Sequence, residues 1–254
     1  MQVLKRDYLP EDLKPQVAKC GFDGTVAVQA RQSLNETRWL LELAEKSDFI
    51  KGVVGWVDLC SQELEIQLNE FISDVKFAGV RHVLQDETDD FFMLRDEFLK
   101  GIRLIGKFNL TYDILIFEKH LPQTLKFVKL FPEQIFVLDH IAKPDIKNQR
   151  ISPWKENIIK LAQYKNVYCK LSGMVTEADW LNWKDEDFSP FIETILDAFG
   201  TERLMIGSDW PVCRLAGSYE DIIEITVKHL KGLSPHEKDA VFGLNAVKAY
   251  QLDL

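Results

Sequence analysis

Seven short apolar runs recur along the chain: TVAVQA (25–30), GVVGWVDL (52–59), GVRHVL (79–84), YDILIF (112–117), IFVLDH (135–140), VYCKLS (167–172) and LMIGSD (204–209). They are near-continuously apolar and rich in β-branched residues, the pattern of strands covered on both faces. Stretches with helical starts and stops separate them. Ser33 and Glu36 have capping-box spacing ahead of an amphipathic run to Ser47, and Ser61 is placed to start a helix reaching Ile72. Pro122 and Pro153 suit first helical turns, and Ser234, Pro235 and Glu237 mark a further start. The run from Asp12 to Cys20 stops at Gly21, a common left-handed terminator. The acidic run Asp185 to Asp187 reads as a solvated helix start. Strands alternating with helices predict βαβ units and a parallel sheet.

The chain has 254 residues, which suits one β/α barrel of roughly 250 residues. No Pro/Gly/Ser linker or repeat divides it, so residues 1–254 are expected to form a single domain. Seven units is one short of a closed barrel. The expected fold is therefore α/β, a (β/α)8 TIM-type barrel lacking its first strand. That strand would precede Met1, and the helix at 12–20 would be the one that follows it.

A net charge of −9 argues against a nucleic-acid partner, since such binding relies on clustered Lys and Arg. No stretch approaches the ~18 apolar residues of a membrane span. Met1 to Leu9 holds Lys5, Arg6 and Asp7 rather than the apolar core of a signal peptide. The cysteines, Cys20, Cys60, Cys169 and Cys213, form no CxxC motif. A reduced, cytoplasmic protein is expected. Nothing in the sequence sets the oligomeric state.

Active sites of β/α barrels sit at the C-terminal ends of the strands. There is no GxSxG elbow, P-loop or GxGxxG motif, so the polar residues that close the apolar runs are the candidates. Asp209 leads: a carboxylate closing an apolar strand is costly unless paired or used. Gly207, two residues earlier on the same face, leaves room for a ligand beside it. His140 closes IFVLDH, and strand alternation puts Phe136, Leu138 and His140 on one face and Asp139 on the other. Arg81 and His82 are adjacent, so only one should face the barrel centre, and position does not choose between them. Lys170 sits among apolar neighbours, where full solvation is not expected. Trp180 and Trp183 fall in a polar loop and could cover a pocket mouth.

RDYLPEDL (6–13), GVRHVLQDE (79–87), FVLDHIAKP (136–144), VYCKLSGMVTEADW (167–180), RLMIGSDWPVC (203–213) and GLNAVKAYQL (243–252) resemble the lactonase branch of the amidohydrolase superfamily. That branch includes sugar-acid lactonases acting on fuconolactone or rhamnonolactone. The resemblance implies a distorted eight-stranded barrel that opens a small, sugar-derived lactone. It implies that Asp209 activates water and that His140 lies in the site, with Arg81, His82, Lys170 and Trp210 around the substrate. The superfamily carries His-x-His at the end of its first strand, whereas the earliest histidine here is His82. We therefore expect a late-starting chain with no required cofactor. A divalent metal such as zinc is expected only with an upstream His-x-His strand. Two alternative readings are a metal-dependent decarboxylase or other hydrolase of the superfamily, and a truncated, non-catalytic barrel.

Overall fold

The computed structural model describes residues 1–253. All seven apolar runs contribute strands: β1 (Thr25–Val28), β2 (Ile50–Gly55), β3 (Phe77–His82), β4 (Thr111–Ile114), β5 (Phe136–Leu138), β6 (Val167–Leu171) and β7 (Leu204–Ile206). They pair in parallel in chain order, β1 to β7, as one curled sheet. Each strand feeds a helix that packs back on the sheet. The helices are α1 (Pro10–Lys19), α2 (Leu34–Glu45), α3 (Leu64–Phe71), α4 (Asp96–Lys107), α5 (Leu121–Lys129), α6 (Trp154–Leu161), α7 (Asp185–Phe199) and α8 (Tyr219–His229). Two short helices, α9 (Pro235–Asp239) and α10 (Asn245–Tyr250), end the chain.

The local signals meet different fates. Ser234 accepts from the Glu237 N–H and caps α9 as read. Asp187 accepts from the Lys184 N–H and starts α7. Pro122 lies in the first turn of α5, but Pro153 sits one residue before α6. Ser33 makes no cap: the Glu36 carboxylate turns instead to the Ala30 and Arg31 N–H groups and fixes the chain leaving β1. Ser61 stabilises a turn by accepting from the Glu63 N–H, and α3 begins only at Leu64.

Alternate strand residues separate two apolar layers. Phe136 and Leu138 join the large cluster between sheet and helices, whereas Val137 joins a smaller one with Val54, Tyr168, Met205, Ala249 and Tyr250. α10 thus packs its end against the inner side of the sheet. Asn245 anchors that helix, its side-chain N–H groups donating to the Thr201 and Leu204 carbonyls.

β1 and β7 are the two edges, and among the described residues no strand joins them. Between them runs a trough of about 920 Å³, lined by Val26 and Val28 on one side and Met205 and Ile206 on the other. Its polar end gathers the residues that follow the strands.

One close approach fixes how α4 meets the turn that follows β2. A Cβ on Gly101 of α4 would run into the Leu59 carbonyl oxygen and lie 2.9 Å from the Leu59 Cβ. Gly101→Ala gains about 1 kcal/mol of helix propensity but forces overpacking that costs about 1–3 kcal/mol. We expect a lower Tm, read by calorimetry. A Tm at or above the parent's would contradict the contact.

Candidate active site

The polar end of the trough is built from the ends of β3, β5, β6 and β7. Arg81 is the fifth residue of β3 and, of the adjacent pair, the one that turns inward. Its Nη1 donates to Asp139 Oδ2 at 2.8 Å, and its Nη2 donates to the Gln29 carbonyl. Lys170 of β6 lies 2.7 Å from Asp139 Oδ1 and 2.5 Å from Asp113 Oδ2. Tyr250 of α10 donates to the same Asp113 carboxylate at 2.9 Å. Asp113 and Asp139 have no exposed side-chain surface.

Burial sets the electrostatics of this cluster. It pushes the Asp113 carboxyl up to about 6, against the opposing pull of Lys170. Burial also disfavours the Asp139 carboxylate, but Lys170 and Arg81 together outweigh it and hold the group below the usual range. Lys170 shows the same balance from the other side. Burial disfavours its ammonium, yet Asp113 and Asp139 raise its pKa. Two cations and two carboxylates thus neutralise one another beneath the cleft. An ammonium has three N–H groups; the two carboxylates occupy two of them at most, and Lys170 also lines the trough.

Asp139 and His140 both reach this region, although strand alternation predicts opposite faces. The reason is that β5 ends at Leu138. Beyond it the chain enters the left-handed region, with φ of 51°, 48°, 62° and 49° at His140, Ile141, Ala142 and Lys143. That turn carries the His140 ring into the trough beside Asp209. His140 Nε2 lies 3.7 Å from Asp209 Oδ1, and Nδ1 lies 2.9 Å from Ser172 Oγ. Burial lowers the His140 pKa despite the raising pull of Asp209 and Asp139, so the ring is neutral near pH 7.

Asp209 follows β7 with φ of 55°, and its side chain is 16% exposed. Among the described residues no Lys or Arg pairs with it. It is therefore the carboxylate at this end of the trough that is left without a cation. Trp210, next in sequence, lines the trough edge-on to Tyr8 with ring centroids 5.1 Å apart. Its indole N–H is buried without a protein acceptor.

Of the sequence candidates, the structure brings together Asp209, His140, Arg81, Lys170 and Trp210. It does not bring in His82, which turns to the outer layer, stacks on Phe92 and places Nε2 2.7 Å from Glu87 Oε1. Trp183 also leaves the mouth: it packs on Phe188 and donates to the Ala216 carbonyl. Trp180 lines a small separate depression with Thr176 and Glu177. Sequence reasoning missed Asp113, although an acid inside the apolar YDILIF run was a signal, and it missed Tyr250, for which no local signal existed.

A resident zinc needs at least three protein donors. The trough offers His140 and Asp209, and among the described residues no group of three or more His, Cys, Asp or Glu side chains could hold a metal. The residues present do not by themselves fit such an ion.

These shifts predict a pH dependence of stability. Burial lowers the pKa of both His82 and His140. The unfolded chain takes up protons at these histidines near pH 6.5 and the folded chain does so only at lower pH. Unfolding is then coupled to proton uptake, so stability is lost as pH falls through 6.5. Asp113, raised to about 6, and Glu118 and Glu177, raised by burial, work in the opposite sense, but the two glutamates start from an ordinary value of 4.5, below the pH range considered, whereas both histidines start from 6.5, inside it. Each net proton is worth about 1.4 kcal/mol per pH unit. Calorimetry should show Tm falling by a few degrees between pH 7.5 and 5.5; a flat or rising Tm would contradict the assignment.

Residues 2–252 match the amidohydrolase family. The chain is 39% identical over 263 residues to an L-fucono-1,5-lactonase of Burkholderia multivorans, covering 99% of this chain and 88% of that protein. A second L-fucono-1,5-lactonase, from Burkholderia ambifaria, is 36% identical over 261 residues, covering 100% and 88%. The fold superposes with a TM-score of 0.97 on the crystal structure of a Burkholderia multivorans amidohydrolase with bound zinc, 38% identical, covering 100% of this chain and 92% of that one. With nearly its whole length matched, the chain belongs to the amidohydrolase family.

Proposed function

We propose that the protein is a lactonase that opens a sugar-acid lactone, with L-fucono-1,5-lactone as the first substrate to test. The observation that carries this reading is Asp209, a carboxylate at the cleft with no cation partner, set beside a neutral histidine. The kinship to two L-fucono-1,5-lactonases supports the substrate class.

In this reading Asp209 takes a proton from water as the water attacks the lactone carbonyl. A positioned base contributes typically 10²–10⁴-fold, and donors aimed at the developing oxyanion supply the rest. His140 Nε2–H and the remaining N–H of Lys170 are those donors, and the Trp210 ring packs against the substrate from the trough wall. Arg81 acts one step back, because Asp139 and Gln29 already occupy its guanidinium. Collapse of the tetrahedral intermediate expels the ring oxygen, which takes the proton that Asp209 removed from water and becomes the new hydroxyl of the open sugar acid. No cofactor enters the scheme. A cytoplasmic setting belongs to the same reading, in keeping with four free thiols.

The barrel is read as eight-stranded in plan, with its first strand lying between β7 and β1. The two unpaired parallel edges, which face one apolar trough, support this.

The test is turnover of fuconolactone, rhamnonolactone, galactonolactone and muconolactone by the purified chain, with and without chelator. We expect a sugar lactone to open at a rate that chelation leaves unchanged. Failure to open any of the four overturns the lactonase reading, and loss of activity on chelation overturns its metal-free form.

A further inference from the structure

The His140 ring is buried between Ser172 and Asp209. Its two nitrogens face chemically different partners. Nδ1 lies 2.9 Å from Ser172 Oγ, and Nε2 lies 3.7 Å from a carboxylate oxygen of Asp209. A neutral imidazole carries one ring proton, a hydroxyl can donate or accept, and a carboxylate only accepts.

These roles leave one consistent arrangement. With the proton on Nδ1, the ring would donate to Ser172 and aim the Nε2 lone pair at the Asp209 carboxylate, acceptor against acceptor. With the proton on Nε2, that N–H points toward the carboxylate and Ser172 donates to the bare Nδ1. We infer that Ser172 is a positioning residue which, together with the Asp209 carboxylate, holds the His140 tautomer with its proton on Nε2, by donating its hydroxyl to the bare Nδ1. Ser172 is 1% exposed, so its hydroxyl serves the ring rather than bulk water. In many sites the hydrogen bond made by one ring nitrogen sets the state of the other.

The backbone around the pair is shaped for this contact. Gly173, next to Ser172, has φ of 63°, and a Cβ there would lie 2.7 Å from His140 Cγ and Nδ1. Only glycine lets the chain pass so close to the ring and still present the serine. On the other side, the Trp154 indole N–H donates to the Ile141 carbonyl at 2.7 Å, inside the left-handed turn that carries His140. Left-handed backbone costs roughly 1–2 kcal/mol per residue, most of all for a β-branched residue such as Ile141. Such a conformation persists only where its surroundings fix it. Here the surroundings fix a ring orientation, Asp209 disfavours a bare Nε2, and the Ser172 hydroxyl satisfies the bare Nδ1.

The consequence for turnover rests on the lactonase reading, but the tautomer does not, and the two are tested apart. The chain has five histidines, so selective ¹⁵N-histidine labelling gives a tractable spectrum, with His140→Gln assigning the resonances. In the parent at pH 7.5, His140 Nε2 should be pyrrole-type and Nδ1 pyridine-type. In Ser172→Ala the two should shift toward averaged values. Ser172→Thr, which keeps the hydroxyl, should restore the parent pattern. Ser172→Ala should lower kcat on the best lactone by about 10–100-fold, as loss of such outer partners does elsewhere, with KM within about twofold and with Thr recovering most of the loss. A protonated Nδ1 in the parent overturns the inference even if no variant folds. An unchanged tautomer in a folded Ser172→Ala protein also overturns it. If the tautomer behaves as stated while the parent opens no lactone, the positioning role stands and the lactonase reading falls.

Discussion

Four charged side chains lie beneath the cleft with little access to water, and each is held by another of the four. Arg81 and Lys170 share Asp139, and Lys170 also holds Asp113. Removing charges from water costs several kcal/mol per ion even after relaxation, so the group is stable only as a complete set. Tyr250 completes it by donating to both Asp113 oxygens at 2.9 Å. β3, β4, β5 and β6 are thereby joined to the helix that closes the chain. Arg81 and Asp113 also stand opposite each other in the β3–β4 register, so the sheet itself places them at one level.

This self-neutralising set decides the chemistry above it. Because Asp113 and Asp139 consume the buried cations, Asp209 is left with a histidine and no fixed positive charge. A carboxylate in that position keeps its lone pairs for water. His140 stays neutral through burial and so can donate without competing for the proton that Asp209 takes in the proposed mechanism. The strained turn at residues 140–143 follows from the same demand. A regular strand continuing past Leu138 would send Asp139 into the charged set and His140 away from it. Turning the backbone left-handed at His140 brings both to the same place.

Much of this was legible in the chain before folding. The strands were clear because runs buried on both faces are apolar at nearly every position, and Asp209 was clear because it ends one of them. What was hidden depended on third parties. Arg81 and His82 could not be told apart until Asp139, 58 residues from Arg81, was placed against the guanidinium. The Ser33 and Glu36 spacing looked like a cap, but unsatisfied N–H groups at Ala30 and Arg31 captured the glutamate. The face of His140 was misjudged because period-two alternation holds only while the strand lasts, and nothing local to DHIAK announces four left-handed residues. Tyr250 reaches Asp113 across 137 residues, a pairing that no window of sequence could show.

The account turns on Asp209 as the base, and replacing its charge while keeping its shape tests that most directly. Asp209→Asn removes the proton acceptor, and no fixed cation is left unpaired beside it. kcat on the best sugar lactone should fall by at least about 10²-fold, while Tm stays within a few degrees of the parent's. Turnover near the parent's in a normally folded variant would contradict the claim that this carboxylate activates water.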